Sequence, residues 1–170
     1  MKKVLITGCS GFLGYHLTDR WQNQPGVVLS GITEVTDFQS TRLKVYHVDI
    51  RDRQKLFEAV KAIQPDLTFH LAAVANVGFS WRHQQMTYEI NFIGSSNLLE
   101  VLGEISPESR VVLMSSAELY GDCYNETCKE TQPLGAPKNP YSLSKYAMEL
   151  VGNLYRQARK MDIVTIRSFN

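Results

Sequence analysis

The first fourteen residues, Met1-Lys-Lys-Val-Leu-Ile-Thr-Gly-Cys-Ser-Gly-Phe-Leu-Gly14, join a short apolar run to three evenly spaced glycines. Val4-Leu5-Ile6 is typical of a strand that is buried on both faces. Gly8, Gly11 and Gly14 then lead into a helical pattern. Such a turn lets the backbone approach a pyrophosphate, and the helix that follows offers unpaired N–H groups and a positive dipole end. A plain strand–helix connection is the alternative, but the order of strand, glycine turn and helix favours phosphate binding.

Apolar runs and helical patterns alternate along the rest of the chain. Helices are predicted over residues 13–21, from an Asp52 cap to Pro65, over 85–103, and over 141–160 after the Asn139-Pro140 cap. A loop containing Trp81 and Arg82 is expected before the third of these helices. Strands are predicted at residues 4–6, 27–32, 44–48, 66–71, 110–114 and 162–167. The alternation predicts one α/β domain over residues 1–170, a doubly wound parallel sheet that binds ligands beyond the carboxyl ends of its strands.

Composition excludes several classes of function. With a formal net charge of +1 and 21% charged residues, the chain lacks the clustered basic face that nucleic-acid or membrane-surface binding requires. No apolar run is long enough to span a bilayer. Three cysteines do not form a disulfide framework, and Cys123 and Cys128 have no nearby histidine to complete a zinc site. We therefore expect a cytoplasmic protein without a metal ion, in which His70 is a packed, hydrogen-bonded residue at a strand end.

Tyr141-Ser-Leu-Ser-Lys145 places a phenol and an ammonium on one helix face, since residues four apart are neighbours there. A nearby ammonium favours the tyrosinate, so the pKa of Tyr141 is expected to be lowered towards the working pH. Ser116, at the end of the fifth predicted strand, supplies a hydroxyl for a reacting oxygen. The Tyr-x-x-x-Lys pattern also arises by chance on exposed helices, which is the alternative at this point.

Six motifs, taken in order, resemble those of the extended short-chain dehydrogenases, the NAD-dependent nucleotide-sugar epimerases, dehydratases and reductases. They are Gly8-x-x-Gly11-x-x-Gly14, His70-Leu-Ala-Ala73, Asn91-x-x-Gly94-x-x-Asn97, Ser115-Ser-Ala-Glu-Leu-Tyr-Gly121, Tyr141-x-x-x-Lys145 and Arg167-x-Phe-Asn170. The resemblance implies a Rossmann-type fold. Within the family, Val77-Gly-Phe-Ser-Trp81 and the last two motifs look most like GDP-4-keto-6-deoxymannose reductases. Ser116 and Glu118 match the related GDP-mannose 4,6-dehydratases.

The resemblance also implies catalytic roles. Tyr141 would be the acid or base at the sugar oxygen, Lys145 would tune it and hold the nicotinamide ribose, and Ser116 would bind the same oxygen. Glu118 would help to remove a proton from C5 in a dehydratase, and a solvated loop carboxylate is the other interpretation. Some dehydratases have an aspartate in place of Ala117, which disfavours that subgroup but not the GDP-mannose 4,6-dehydratases.

The residues implied in cofactor binding lie at the predicted strand ends, in the glycine turn and in the predicted helices 85–103 and 141–160. They are Gly8, Ser10, Gly11, Phe12, Leu13, Gly14, Glu34, Asp49, Ile50, Leu71, Ala72, Ala73, Asn91, Tyr141 and Lys145. Glu34 follows the second strand, where many relatives of the GDP-sugar group have an arginine for the NADP 2′-phosphate. Because a carboxylate repels that phosphate and accepts from ribose hydroxyls, NAD is expected rather than NADP.

Family members continue beyond a sixth strand into a substrate-binding domain, so the resemblance implies that this chain is the cofactor half of a nucleotide-sugar oxidoreductase acting at sugar C4. A GDP-sugar is favoured as substrate, with 4,6-dehydratase and 4-epimerase activities as alternatives, and the fragment alone is expected to be inactive. A non-catalytic dinucleotide-binding module is the alternative of another class. Relatives also pair through the helices that correspond to 85–103 and 141–160, which implies a homodimer.

Overall fold

Six parallel strands form the centre of the computed structural model, which describes residues 1–121 and 127–169. The sheet has the order β3-β2-β1-β4-β5-β6. Its strands are β1 (Lys2–Thr7), β2 (Val27–Thr33), β3 (Lys44–His47), β4 (Leu67–His70), β5 (Arg110–Ser116) and β6 (Ile163–Ser168). This order is that of a Rossmann fold, and the predicted doubly wound sheet is confirmed.

The order of the strands reverses at β1, which pairs with β2 on one side and with β4 on the other. The connections after β1 and β4 therefore leave in opposite directions, and a crevice opens beyond the carboxyl ends of these two strands. In the register of β1 and β4, Thr7 lies opposite His70. The glycine turn after Thr7 and the segment after His70 consequently form the two sides of that crevice.

Helices cover both faces of the sheet. The helices are α1 (Phe12–Trp21), α2 (Arg53–Ile63), α3 (Val77–Arg82), α4 (Gln84–Tyr88), α5 (Ser95–Ile105) and α6 (Pro140–Ala158). Leu17 and Trp21 of α1 pack on a cluster with Val4 and Ile6, and the buried faces of α2, α5 and α6 pack on a second cluster around Leu5. Burial of apolar side chains on both faces explains why the strands read as continuous apolar runs.

The start of α6 has the predicted cap. The Asn139 side chain accepts the Ser142 N–H at 2.8 Å, and the Ser142 hydroxyl accepts the Asn139 N–H at 3.2 Å. Pro140 occupies the first turn, where its missing N–H leaves no internal bond unmade. The reciprocal bonds fix the point at which α6 begins, one residue before Tyr141.

The segment before α5 differs from the prediction in two ways. Residues 77–82, expected as a loop, form α3, whose first turn is capped by Asn76 accepting the Phe79 N–H at 2.7 Å. The predicted helix 85–103 is interrupted by a π-helix, Glu89–Gly94. At its end, a Cβ on Gly94 would lie 2.5 Å from Ile50 Cγ1. This tertiary contact holds the segment against the end of the sheet, and the helical period alone did not indicate it.

Candidate active site

A cleft lies beyond the carboxyl ends of β1, β2 and β4. Nine of the residues predicted for cofactor binding line it: Gly8, Ser10, Gly11, Glu34, Asp49, Ile50, Leu71, Ala72 and Ala73. Its remaining lining residues are Ile32, Thr33, Val35, Val48, Val74 and Ile90. The mixture of apolar walls with a few polar groups is typical of a cofactor pocket.

Two of the three motif glycines are required by the packing of the chain itself. Gly8 has a φ of +70°, and a Cβ there would lie 2.7 Å from the Ala72 backbone nitrogen. A Cβ on Gly14 would lie 2.5 Å from the Gly8 carbonyl oxygen. These glycines allow the turn and the close approach of α1 to it.

Gly11 has no comparable requirement. Its backbone is extended, with a φ of −81°, and a Cβ there would meet only the Gly8 carbonyl oxygen, at 3.3 Å. Gly11 is exposed and lines the cleft, and as the N-cap residue of α1 it has no side chain that could cap the helix. The cleft thus has an open helix end that an anion can approach closely, as a dinucleotide pyrophosphate does. The residues present fit such a cofactor.

Acidic side chains lie at the β2 and β3 side of the cleft. Glu34 is exposed directly after β2, and the neighbouring Thr33 hydroxyl shares a hydrogen bond of 2.7 Å with the Ser10 hydroxyl. Asp49 accepts from Arg51 Nη2 at 2.6 Å and from Arg51 Nε at 2.9 Å. This pairing lowers the pKa of Asp49 below its ordinary value. The carboxylates of Glu34 and Asp49 provide acceptors for ribose or adenine groups, and the Arg51 guanidinium, which pairs with Asp49 and also interacts with Glu34, offsets part of their negative charge.

The Ser116 hydroxyl lies beside the Tyr141 phenol at the carboxyl end of β5, close enough to favour the charged form of the phenol. The Ser116 hydroxyl also accepts the Glu118 N–H at 3.2 Å, and the Glu118 carboxylate accepts from Asn139 Nδ2 at 2.8 Å. Asn139 is therefore both the cap of α6 and the anchor of Glu118. The structure brings together the hydroxyl, phenol and carboxylate that the sequence assigned to catalysis.

The pKa of Tyr141 is raised, not lowered as the sequence predicted. Burial is the largest cause, the neighbouring Ser116 hydroxyl acts in the opposite direction, and the Glu118 charge adds to the rise. Lys145 Nζ lies 6.0 Å from the centre of the Tyr141 ring and donates to the Met114 carbonyl at 2.8 Å. Burial dominates and the Lys145 ammonium is too distant to reverse it, so the phenol stays protonated at neutral pH.

Lys145 is itself 4% exposed, and burial lowers its pKa to about 8. Its ammonium group has three N–H donors, one of which is used by the bond to the Met114 carbonyl. The side chain is thus held at the end of β5, next to Ser115 and Ser116. That position suits a donor to the hydroxyls of a bound ribose.

Several predicted cofactor residues lie outside the cleft lining. Phe12, Leu13 and Gly14 form the first turn of α1, with the Phe12 side chain 78% exposed. Asn91 is fully buried, and its side-chain amide bonds the Val74 backbone and Ser144. The structure therefore places Asn91 behind the cleft. Val74 and Ile90 were not predicted from the sequence, although both adjoin motif residues.

Arg167 connects β6 to α6. Its guanidinium donates to both carboxylate oxygens of Glu149, at 3.0 and 2.8 Å, and to the Tyr120 hydroxyl at 3.0 Å. Glu149 is only 3% exposed, so this is a paired, mostly buried charge. Within the last motif, Arg167 thus stabilises the fold by joining β6 to α6. Asn170 of that motif, like Cys123, lies outside the described residues.

Two negative results come from the described parts of the chain. Residues 1–121 and 127–169 contain no group of three histidine, cysteine, aspartate or glutamate side chains arranged to hold a metal ion. Within the same residues, no helix has the length and apolar character that crossing a membrane demands.

Comparison with known proteins identifies the family. A profile of the NAD dependent epimerase/dehydratase family matches residues 4–170. The chain belongs to this family. UDP-glucose 4-epimerase from Mycoplasma genitalium is 33% identical over 130 residues, which cover 75% of this chain and 38% of the relative. CDP-glucose 4,6-dehydratase from Salmonella typhimurium is 31% identical over 167 residues, which cover 92% of this chain and 46% of the relative.

A solved relative has the same fold. The crystal structure of Thermus thermophilus UDP-glucose 4-epimerase in complex with NAD matches with a TM-score of 0.89 and 28% identity, covering 98% of this chain and 54% of that one. The family-level resemblance and its dependence on NAD are confirmed. The chain spans about half the length of the curated relatives that it matches.

Lys145→Met tests the electrostatics of this site. The folded chain releases the Lys145 proton near pH 8, whereas the unfolded chain holds it to about 10.5. Because the unfolded state binds more protons between these two pH values, Lys145 makes the free energy of unfolding increase as pH rises from one to the other. The variant has no buried charge at this position, so its free energy of unfolding should not show this increase with pH. Near neutral pH it should exceed that of the parent by up to about 3 kcal/mol. Urea unfolding of the parent and the variant across this pH range measures the pH dependence and the difference in stability. Parallel pH profiles of the two free energies of unfolding contradict the lowered pKa of Lys145.

Proposed function

We propose that the chain is the cofactor-binding and catalytic part of an NAD-dependent enzyme that acts at C4 of a nucleotide-linked sugar. The observation that carries the proposal is the grouping of the Ser116 hydroxyl, the Tyr141 phenol and the buried Lys145 ammonium at the end of β5. A module that only binds a dinucleotide could use Lys145 but has no need of the Ser116 hydroxyl and the Tyr141 phenol. Their presence argues against the non-catalytic alternative.

The residues have separate tasks in this proposal. NAD supplies the acceptor or donor of a hydride at the sugar carbon. Gly11 and the amino end of α1 bind the pyrophosphate, and Glu34 and Asp49 bind the adenosine. Ser116 donates a hydrogen bond to the sugar oxygen, and Tyr141 gives or takes its proton. Lys145 holds the nicotinamide ribose.

The finer alternatives rest on the motifs that the chain shares with each subgroup. The protonated Tyr141 phenol is compatible with the reductase, because it can protonate the oxygen of a 4-keto sugar during reduction. We therefore retain a GDP-4-keto-6-deoxymannose reductase as the specific proposal. A 4,6-dehydratase is the second candidate, since Asn139 holds the Glu118 carboxylate next to the phenol.

Cofactor titration tests the binding part of the proposal. Gly11→Ala should weaken NAD binding at least about tenfold, or about 1.4 kcal/mol, because the added methyl stands where the pyrophosphate approaches. It should leave the free energy of unfolding almost unchanged, since the Cβ meets one atom at 3.3 Å. Gly14→Ala is the matched control: its Cβ meets backbone atoms, so it should cost roughly 1–3 kcal/mol of stability. Calorimetric NAD titration and urea unfolding measure the pair, and equal NAD affinity of parent and Gly11→Ala contradicts the site.

The same titration with NADP examines the selectivity expected from Glu34. The parent chain should bind NAD more tightly, and Glu34→Gln should narrow the ratio because it removes the charge that repels the 2′-phosphate. Glu58→Gln, an exposed substitution on α2, is the control. A clear preference of the parent for NADP would refute the role of Glu34.

A panel of nucleotide sugars tests the reaction. The 170-residue chain, supplied with reduced NAD, is assayed with GDP-4-keto-6-deoxymannose and with 4-keto-6-deoxy sugars linked to UDP, CDP and dTDP, following nicotinamide absorbance and product by mass spectrometry. We expect little turnover by the chain alone, since the relatives are about twice as long. Weak reduction confined to the GDP-sugar supports the specific proposal, whereas preference for another nucleotide replaces it. Robust activity refutes the need for further polypeptide.

We also propose a homodimer through one face of α6 and the neighbouring π-helix. Leu143, Leu150 and Leu154 are 46%, 53% and 60% exposed, and their spacing of seven and four places them in one stripe. Ile93 is exposed as well. Light scattering should detect a dimer whose dissociation constant rises in Leu150→Gln. A parent that stays monomeric at high concentration contradicts this interface.

A further inference from the structure

Asn91 uses its side-chain amide to join two functional parts of the molecule. Its Oδ1 accepts the Val74 N–H at 2.7 Å, and its Nδ2 donates to the Val74 carbonyl and to the Ser144 hydroxyl, both at 2.9 Å. Val74 lines the cleft, while Asn91 is 0% exposed. The side chain therefore connects the cofactor cleft with α6 from behind.

Ser144 carries the connection to the catalytic residue. Its hydroxyl donates to the Tyr141 carbonyl at 2.6 Å while accepting from Asn91. Ser144 is 1% exposed, so water does not compete for these bonds. The first turn of α6, with Tyr141 in it, is thus linked to Val74 through two side chains.

A second line of bonds holds the other end of the same cleft segment. The Ser95 hydroxyl donates to the Asn91 carbonyl at 2.6 Å, so it accepts from His70 Nε2 at 2.7 Å. His70 is neutral, because burial lowers its pKa to about 3, and its Nδ1 accepts from the Thr7 hydroxyl. Thr7 in turn accepts the N–H groups of Leu71 and Ala72, at 3.2 and 3.3 Å. Each hydroxyl has one proton, so the bonds run in one consistent direction.

The π-helix makes this arrangement possible. Asn91 lies in its middle, and the residues that follow are fixed by their own contacts: Gly94 against Ile50 and Ser95 against the Asn91 carbonyl. π-helical turns are rare and occur frequently at functional sites, since the extra residue per turn re-aims one side chain. Here the re-aimed side chain is that of Asn91, which bonds Val74 and Ser144.

We propose that Asn91 and Ser144 are positioning residues that couple the cofactor cleft to the first turn of α6. When a ligand binds beside the cleft segment Leu71–Val74, they order this turn and so hold Tyr141 in position before the sugar binds. The proposal rests on the proposed function, because it takes the cleft to be the cofactor site. It concerns the adenosine and pyrophosphate part of the cofactor, which lies away from the Tyr141 side chain. Neither residue needs to touch the cofactor.

Hydrogen exchange with two ligands tests the transmission. ADP contains the adenosine and both phosphates but lacks the nicotinamide ribose, so Lys145 and Tyr141 have nothing of it to bind. In the parent chain, ADP should slow exchange of the amides of residues 141–145 several-fold, as NAD does. Ser144→Ala should bind ADP with an affinity within about twofold of that of the parent, but ADP should no longer slow exchange of the amides of residues 141–145. NAD should still slow this exchange in part, through direct contact.

Two further variants complete the design. Asn91→Ala removes the bonds to both Val74 and Ser144, so it should lose the protection and also weaken ADP binding several-fold. Ser109→Ala is the matched control: it deletes a hydroxyl that is equally buried, 3.4 Å from Thr68 Oγ1 at the other end of the sheet, and should keep the parent response. Thermal unfolding shows which variants are folded, and the two network variants break different bonds of one path.

The outcomes separate the two proposals. Binding of ADP without protection of residues 141–145 in the parent, or unchanged protection in Ser144→Ala, overturns the coupling and leaves the cofactor site standing. Loss of the response in Ser109→Ala as well attributes it to general loosening, which also overturns the coupling. Failure of both ADP and NAD to bind overturns the cofactor site and the coupling together.

Discussion

The close contact between the backbones of Gly8 and Ala72 is the constraint on which the cleft depends. A side chain at Gly8 would meet Ala72 at 2.7 Å, and the φ of +70° turns the chain from β1 directly into α1. The Thr7 hydroxyl reinforces this contact by accepting the N–H groups of Leu71 and Ala72. The glycine turn and the segment after β4 are thereby held as one unit, and the amino end of α1 is left open over it.

Burial decides the electrostatics of the catalytic pair. The spacing of Tyr141 and Lys145 alone suggests an ammonium that lowers the pKa of the phenol, but both side chains lose solvent in the fold. Desolvation penalises the charged form of each, so the pKa of the phenol rises and that of the ammonium falls. Both members of the pair are therefore held closer to their neutral forms than two separate, exposed residues would be. The use of Tyr141 as a base requires a further positive charge nearby to stabilise the tyrosinate, whereas its use as an acid does not.

The parts of the fold that depend on local signals were predictable from the sequence. The strand–glycine–helix start, the Asn139 cap and the apolar stripe of α2 depend on neighbours within one element, and the alternation of elements placed the cleft at the strand ends. The π-helix was not predictable in this way, because Gly94 is fixed by Ile50, which is distant in the chain. The position of Asn91 behind the cleft follows from that same contact. Residue types thus indicated the site, and tertiary packing decided which of them face it.

The first two glycine-containing motifs, at residues 8–14 and 91–97, carry different kinds of information about the ligand. Gly8 and Gly14 are explained by contacts of the chain with itself, so within the first motif the specific indication of a closely approaching ligand comes from Gly11. In the second motif every named position has an internal partner: Asn91 bonds Val74, Gly94 packs on Ile50, and Asn97 donates to the carbonyls of Ile50 and Arg51. Val74 and Ile50 both line the cleft. The second motif therefore shapes the cofactor site by supporting its walls, and its residues need not contact the cofactor.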